Sequence, residues 1–443
     1  MATNILAITP VIGPALQKVV IGGNDYGHQT LTRFFAVHAG VIPATIVALI
    51  VAHIYLFRRH GITPKEPRRR PDAAFWPDQV LRDAVACLAV LLTVLFFIGR
   101  NHGAELGAPA DPSQQFEARP EWYFLFLFQL LKYFPGGTEI WGAIALPALL
   151  MLALAAMPWI GRSKAGHRGN LAFLCALLGA VALLTFLAID EDRRNPEYRA
   201  AVEVADRDAA RAVVLAQAPD GIPLTGAVTL LHNDPLTQGP RLFAKNCASC
   251  HRYDGNDGLG GQPKGAPTAS DLKGFASRAW LTGLHDPKQV AETRYFGGSK
   301  LKSGEMAGFV HDDVAGFSAA EKDQLQKALL ALSAEAGLKA QSEADRHDAA
   351  LIDEGRKLLG GNTVRCSDCH QFHFEDHSLV GPDLTGYGSR DWLIAFLNNP
   401  ASDRFYGKAN DRMPAFGADK RLTAQEIGLI VDWLRGEWYS SPR

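Results

Sequence analysis

Four long apolar runs occupy the first 190 residues, and mixed, charged sequence fills the remainder. The runs are Phe34–Phe57, Leu81–Ile98, Ile140–Trp159 and Leu171–Ile189. As helices, each is long enough to cross a hydrocarbon layer about 30 Å thick, so the pattern predicts four transmembrane helices. From Asp190 the chain becomes an Ala-rich charged segment that reads as a helix leaving the membrane. A Gly/Pro-containing linker follows and ends near Pro235. Beyond it the polar and apolar positions repeat. The first copy runs GPRLFAKNCASCH, DLKGFASRAWL (Asp271–Leu281), Met306 and SAAE at Ser318; the second runs GRKLLGGNTVRCSDCH, DLTGYGSRDWL (Asp383–Leu393), MPAF at Met413 and TAQE at Thr423. SAAE and TAQE are capping boxes that open amphipathic helices. The whole reads as an all-α chain in five parts: a surface segment (1–33), a four-span membrane region (34–190), a linker (191–235) and two tandem domains (236–340 and 341–443).

Charge sets the orientation. The net charge of −1 gives no reason to expect a nucleic-acid partner. Arg58, Arg59, Lys65, Arg68, Arg69 and Arg70 follow the first span, and Arg162, Lys164 and Arg168 follow the third. Positive loops stay in the cytoplasm. The N-terminal tail, the loop from Arg100 to Phe134 and everything after Ile189 then lie outside. The N-terminus has no basic, cleavable leader pattern, so the expectation is a multi-pass protein of a bacterial inner membrane with its C-terminal half in the periplasm.

Four of the six cysteines sit in two Cys-x-x-Cys-His motifs, Cys247/Cys250/His251 and Cys366/Cys369/His370. That spacing attaches a c-type haem through two thioethers and supplies a histidine to the iron. After residue 190 the chain has two methionines, Met306 and Met413, one downstream of each motif. A thioether opposite the histidine raises the potential of an electron-transfer haem, so these are the expected sixth ligands. His285, His311, His373 and His377 are the rivals; the last two lie close behind the second motif. Cys87 and Cys175, alone in apolar runs, read as small buried hydrophobes.

His38 and His53 lie inside the first span. Ionisable groups at membrane depth are costly, which makes them functional candidates. Fifteen residues separate them, about 22 Å along a helix with an offset of about 60°, so they share one face. Spacing alone allows either a hydrogen-bonded pair or ligands of two stacked cofactors.

The surrounding residues carry a resemblance. TLTRFFAVH…H…FRRHG, Thr30 to Gly61, resembles the fourth transmembrane helix of cytochrome b in quinol-oxidising cytochrome bc complexes, with the fourteen-residue gap of the chloroplast and cyanobacterial type. PVIGPALQKVVIGG (Pro10–Gly23) resembles the surface helix before it. Pro120-Glu121-Trp122-Tyr123 matches the PEWY motif of the quinol-oxidation site, flanked by FWPDQVLRD, ELGAPADP and FQLLKYFPGG. The repeat resembles class I cytochrome c: an opening helix, the haem motif, a haem-packing segment, the methionine and a closing helix.

The resemblance implies four cytochrome b-type transmembrane helices followed by two tandem cytochrome c domains. It assigns His38 to the outer b haem, His53 to the inner one, and proton acceptance at the quinol site to Glu121, in a pocket lined by Tyr123. A carboxylate at an apolar membrane edge suits a general base. On the inner side Arg58, His60, Arg82 and Asp83 are quinone-site candidates, or cations that snorkel to the interface.

Two further histidines belong to a complete cytochrome b, and no span here supplies them. The expected partner is therefore a cytochrome b polypeptide with the first three helices. The departure is real: the known split falls after the fourth helix, which this chain itself carries. A Rieske iron–sulfur protein is a second expected partner, and the assembly is expected to be dimeric. The implied cofactors are two covalent haems c, two haems b shared with the partner, and quinone. The implied function is quinol oxidation coupled to proton translocation, with electrons leaving to a soluble cytochrome, a terminal oxidase or a reaction centre. The alternative is a membrane-anchored dihaem carrier with a non-catalytic cytochrome b remnant.

Overall fold

The computed structural model describes residues 2–61, 74–101, 103, 106–111, 118–361, 363–376 and 378–440. The basic loop residues Lys65, Arg68, Arg69 and Arg70, and the rival ligand His377, lie outside the described residues. Among the described residues the regular structure is helical, with only isolated β-bridges such as Arg252–Asp271. Two compact units divide the chain, Met1–Ala209 and Ala210–Arg443.

In the first unit four helices are long and apolar enough to cross a membrane: His28–His60, Phe75–Asn101, Gly136–Ile160 and Lys164–Arg194. They agree with the apolar runs and extend each by several residues. The first and third contain one widened, π-helical turn, Val37–Val41 and Trp141–Ala145. Proline explains both. Pro43 and Pro147 lack an N–H, and their rings would strike the carbonyl four residues back. The turn before each opens by one residue, so that Ile42 N–H reaches the Val37 carbonyl and Leu146 N–H the Trp141 carbonyl. A short helix, Leu125–Lys132, packs on the fourth span. The hydrophobic stretches of the first and second spans have no buried residue within this chain.

The second unit is built from the repeat. Each copy has an opening helix, Pro235–Asn246 or Ala349–Leu359, and a closing helix, Ala319–Glu335 or Ala424–Leu434. Both expected capping boxes form, Ser318 with Glu321 and Thr423 with Glu426. The middle segments are equivalent too. Ser277 and Ser389 cap helices Arg278–Leu284 and Arg390–Asn398. The indole of Trp280 donates to the Asp271 carbonyl at 3.1 Å, and that of Trp392 to the Asp383 carbonyl at 2.9 Å.

Each middle helix packs on the closing helix of its own copy, but the opening and closing helices do not pair within a copy. The first opening helix packs on the second closing helix, and the second opening helix on the first closing helix. Gly239 lets the Trp433 side chain close onto the first opening helix, where its ring meets Phe243 at 5.4 Å and Tyr253 at 4.3 Å. Gly355 lets the second opening helix approach the Lys327 carbonyl and Ala331. Lys327 and Glu354 add an ion pair at 3.0 Å across that contact. The chain segments cross beside Ala276 and Gly388, where a side chain at Gly388 would strike Ala276 and φ is +72°. The Phe275 and Tyr387 rings meet there at 5.4 Å. Arg435 ties the crossing by donating to the carbonyls of Ala336 (2.7 Å) and Gly388 (2.5 Å). One continuous core, from Ala276 to Val431, serves both copies.

Candidate functional site

The two haem motifs have the same local geometry. Cys247 and Ala248 are buried under Phe243 and Trp433 at the end of the first opening helix. His251 follows, and its Nδ1 lies 2.8 Å from the Ser270 carbonyl. In the second motif His370 Nδ1 lies 2.8 Å from the Pro382 carbonyl. A carbonyl only accepts, so each Nδ1 holds the proton and Nε2 is left to bind a metal. Burial pushes both imidazoles down from their ordinary pKa, although the carbonyl bond works the other way. The shift favours the neutral ring, the form in which imidazole binds a metal. Burial also pushes the Cys247 and Cys366 thiols up to about 12, so both are protonated. Among the described residues no three His, Cys, Asp or Glu side chains converge on a single-ion site. Two thiols and an unprotonated Nε2 in each motif suit a wide ring attached at its edge and ligated at its centre.

The two methionines, equivalent in the repeat, sit in different local settings. Met306 lies in the short helix Glu305–Gly308, packed with Val290, Ala307 and Val310. Met413 is half-buried at the margin of the main core, and its carbonyl accepts from Asn410 at 3.0 Å. Lys300 and Asp411, at 2.5 Å, join the two methionine loops. Of the rivals, His311 is exposed and 2.8 Å from Asp312, and His373 pairs with Glu335 at 3.2 Å. His285 is fully buried and its pKa is pushed down to about 4, chiefly by burial; its Nδ1 faces the Leu281 carbonyl at 2.9 Å.

In the membrane unit His38 stands inside the widened turn Val37–Val41, and His53 lies on the helix that continues from Ile42. A turn that absorbs one extra residue takes back up to about 100° of rotation, so the two rings remain within about 60° of each other on one face. Both are exposed within this chain. Arg58 and His60 end this helix, and Arg82 and Asp83 lie in the first turns of the next, where Gln79 donates to Asp83 at 2.8 Å. Connectivity puts these four at the same end of the two spans.

Pro120-Glu121-Trp122-Tyr123 forms the entry to the helical stretch Trp122–Lys132. Glu121 is extended and exposed immediately before the first turn, and Trp122 and Tyr123 meet edge to face at 5.6 Å. The stretch is pinned by a group that sequence reasoning missed. The Arg119 guanidinium lies 3.0 Å from Asp192, 5.1 Å from the Phe128 ring centre and 4.4 Å from that of Tyr198. Lys132 and Gln129 reach Glu191 at 2.9 and 3.1 Å. The PEWY segment is thus fixed to the end of the fourth span. The signal was the charged run Asp190–Arg194 facing the arginine before Pro120, a pairing visible only once both helices are placed.

Three family models match the chain. Residues 1–110 match the one described as Cytochrome b(N-terminal)/b6/petB, residues 109–204 that for Cytochrome b(C-terminal)/b6/petD, and residues 236–329 that for Cytochrome c. The two cytochrome b matches meet between the second span and the PEWY segment, and together they take in all four spans. The cytochrome c match runs from the first opening helix through Met306 into the first closing helix. A haem-binding, electron-transport chain of this composition is a cytochrome b–cytochrome c fusion of the bc-complex type.

Proposed function

We propose that the chain is a catalytic subunit of a quinol-oxidising bc-type complex. Quinol binds at the outer edge beside Pro120-Glu121-Trp122-Tyr123, and Glu121 accepts a proton and passes it outward. His38 and His53 would each help to hold a b haem, with a partner cytochrome b fragment supplying the remaining protein ligands. Cys247 and Cys250, with His251, and Cys366 and Cys369, with His370, hold two c haems completed by Met306 and Met413. Bound haem provides one-electron transfer, and the chain's own residues orient, ligate and desolvate it. With haem bound, a Rieske partner would pass one electron towards the c-haem sites and the other would reach an inner quinone site near Arg58, His60, Arg82 and Asp83, coupling oxidation to proton translocation. The positive loops favour a bacterial inner membrane with the cytochrome c-type region on the periplasmic side. A soluble cytochrome, an oxidase or a reaction centre takes the electrons.

The observation that carries this reading is the histidine pair on a bare span. Lipid alone covers apolar residues well, but it offers imidazoles no partner. The anchored PEWY segment supports the catalytic reading over a mere membrane anchor. The test is to purify the assembly. It is expected to show b-type and c-type α-bands and a second polypeptide with its own histidine pair. A preparation with c haem alone overturns the proposal.

A further inference from the structure

We propose that the two c-haem sites are crossed: Met413 ligates the haem attached at Cys247 and Cys250, and Met306 the haem attached at Cys366 and Cys369. In chain order each motif would take the methionine of its own copy. The packing argues otherwise. A covalent haem lies where its motif lies, and its sixth ligand comes from whichever segment is packed beside that motif.

The first motif is enclosed by the second copy. Trp433, on the second closing helix, sits against Phe243, Tyr253, Cys247 and Ala248. Gln425, at the start of the same helix, donates to Asn233 at 2.6 Å, just before the first opening helix. The second motif is enclosed by the first copy. Arg365, the residue before Cys366, pairs with Asp313 at 3.3 Å and lies 5.9 Å from the Phe309 ring centre. Phe309 and Asp313 belong to the turn Phe309–Val314, which continues directly from the helix holding Met306. That turn leads into the closing helix Ala319–Glu335, which packs on the second opening helix. Glu335 of that helix also accepts from the Gly386 amide at 3.0 Å and pairs with His373, both in the second copy. After the crossing at Ala276 and Gly388, each methionine therefore travels with a closing helix that belongs to the other motif. Each haem site is made of halves from both copies, and neither copy alone contains a complete site.

This inference rests on the reading that both motifs carry haem, and the experiment separates the two. The full chain is expressed with its partners in two backgrounds, C247A/C250A and C366A/C369A, each keeping one attachment motif. Haem staining and peptide mass identify the motif that carries haem. Met306→His and Met413→His are then introduced singly, which keeps a ligand in place and the fold supported. In C247A/C250A, M306H is expected to abolish the long-wavelength thioether–iron(III) band and lower the midpoint potential of the remaining c haem, and M413H to leave both unchanged. In C366A/C369A the roles reverse. A pattern in which each methionine affects the haem of its own copy overturns the crossing, as does indifference to both methionines. Absence of covalent haem from both parent backgrounds overturns the underlying reading instead.

Discussion

Replacing Trp433 by alanine probes the crossed packing directly. Trp433 belongs to the last helix of the chain, yet its ring is buried against the first motif, with 4% of its surface exposed. It fills the notches left by Gly239 and Gly258 and touches Phe243 and Tyr253. Deleting a buried indole costs about 3–5 kcal/mol, because contacts and a cavity are lost together. At about 1.4 kcal/mol per decade, roughly 4 kcal/mol speeds local opening by about three decades. A domain holds about 5–15 kcal/mol in total, so the variant should fold but open readily at the injured contact. Hydrogen exchange read by peptide locates the damage. Protection should fall most over Pro235–Asn246 and Tyr253, some 180 residues from the substitution. The reciprocal variant Leu332→Ala, on the first closing helix, should expose Ala349–Leu359. Damage in W433A confined to Ala349–Leu359, with the first opening helix still protected, would refute the pairing.

Four other outcomes follow from the same contacts. Arg119→Gln removes the cation that ties the PEWY segment to Asp192; a shift of about 1 Å at the site should slow quinol-dependent reduction of the c haems about 10²-fold, with b and c spectra intact. Loss of haem instead would mark Arg119 as structural only. Glu121→Gln should slow the same reaction by about 10²–10⁴ if its carboxylate accepts the proton, and Glu121→Asp should recover part of the rate. His38→Leu and His53→Leu should each remove one b-type component from reduced-minus-oxidised spectra of the purified assembly; an unchanged spectrum would exclude ligation. Asp234→Ala strands Arg211, which Asp234 holds at 2.6 and 2.9 Å, and strips the cap from Thr237. A broken buried pair costs about 3–5 kcal/mol, so the urea midpoint should fall sharply, and a shift below 1 kcal/mol would contradict the geometry.

What the sequence made legible was local. The four spans follow from uninterrupted apolar length, which depends on nothing beyond the helix itself. The capping boxes at Ser318 and Thr423 formed because their bonds close within one turn. The motif positions Cys247, Cys250 and His251, and Cys366, Cys369 and His370, were legible from their spacing alone. The helix pairing was not legible, because both copies present equivalent faces. Gly239 with Phe243 and Gly355 with Leu359 offer the same notch to either closing helix. The segments cross where Ala276 and Gly388 approach closely, a contact of two small residues that no local pattern announces. The pin on the PEWY segment was hidden for a related reason: Arg119 and Asp192 are 73 residues apart, and ordinary surface charges look the same in sequence.

The two regions are completed from different sources, and that difference constrains how the assembly can be built. In the cytochrome c-type region each opening helix packs on the closing helix of the other copy, so enclosing either motif needs both copies. Severing the chain between residues 340 and 341 would leave each half with a closing helix and a motif that do not belong together. In the cytochrome b-type region the hydrophobic stretches of the first and second spans bury none of their residues among the described residues, and His38 and His53 are exposed on an apolar helix. An imidazole is tolerated at that depth where a neighbouring helix or a bound group satisfies it, which lipid cannot do. Under the proposed function a second polypeptide completes the membrane region, whereas the two copies of the cytochrome c-type region complete each other. Fusing the two fixes one cytochrome c-type region to each cytochrome b-type region, so the proposed electron transfer between them would not depend on capturing a separate subunit from solution.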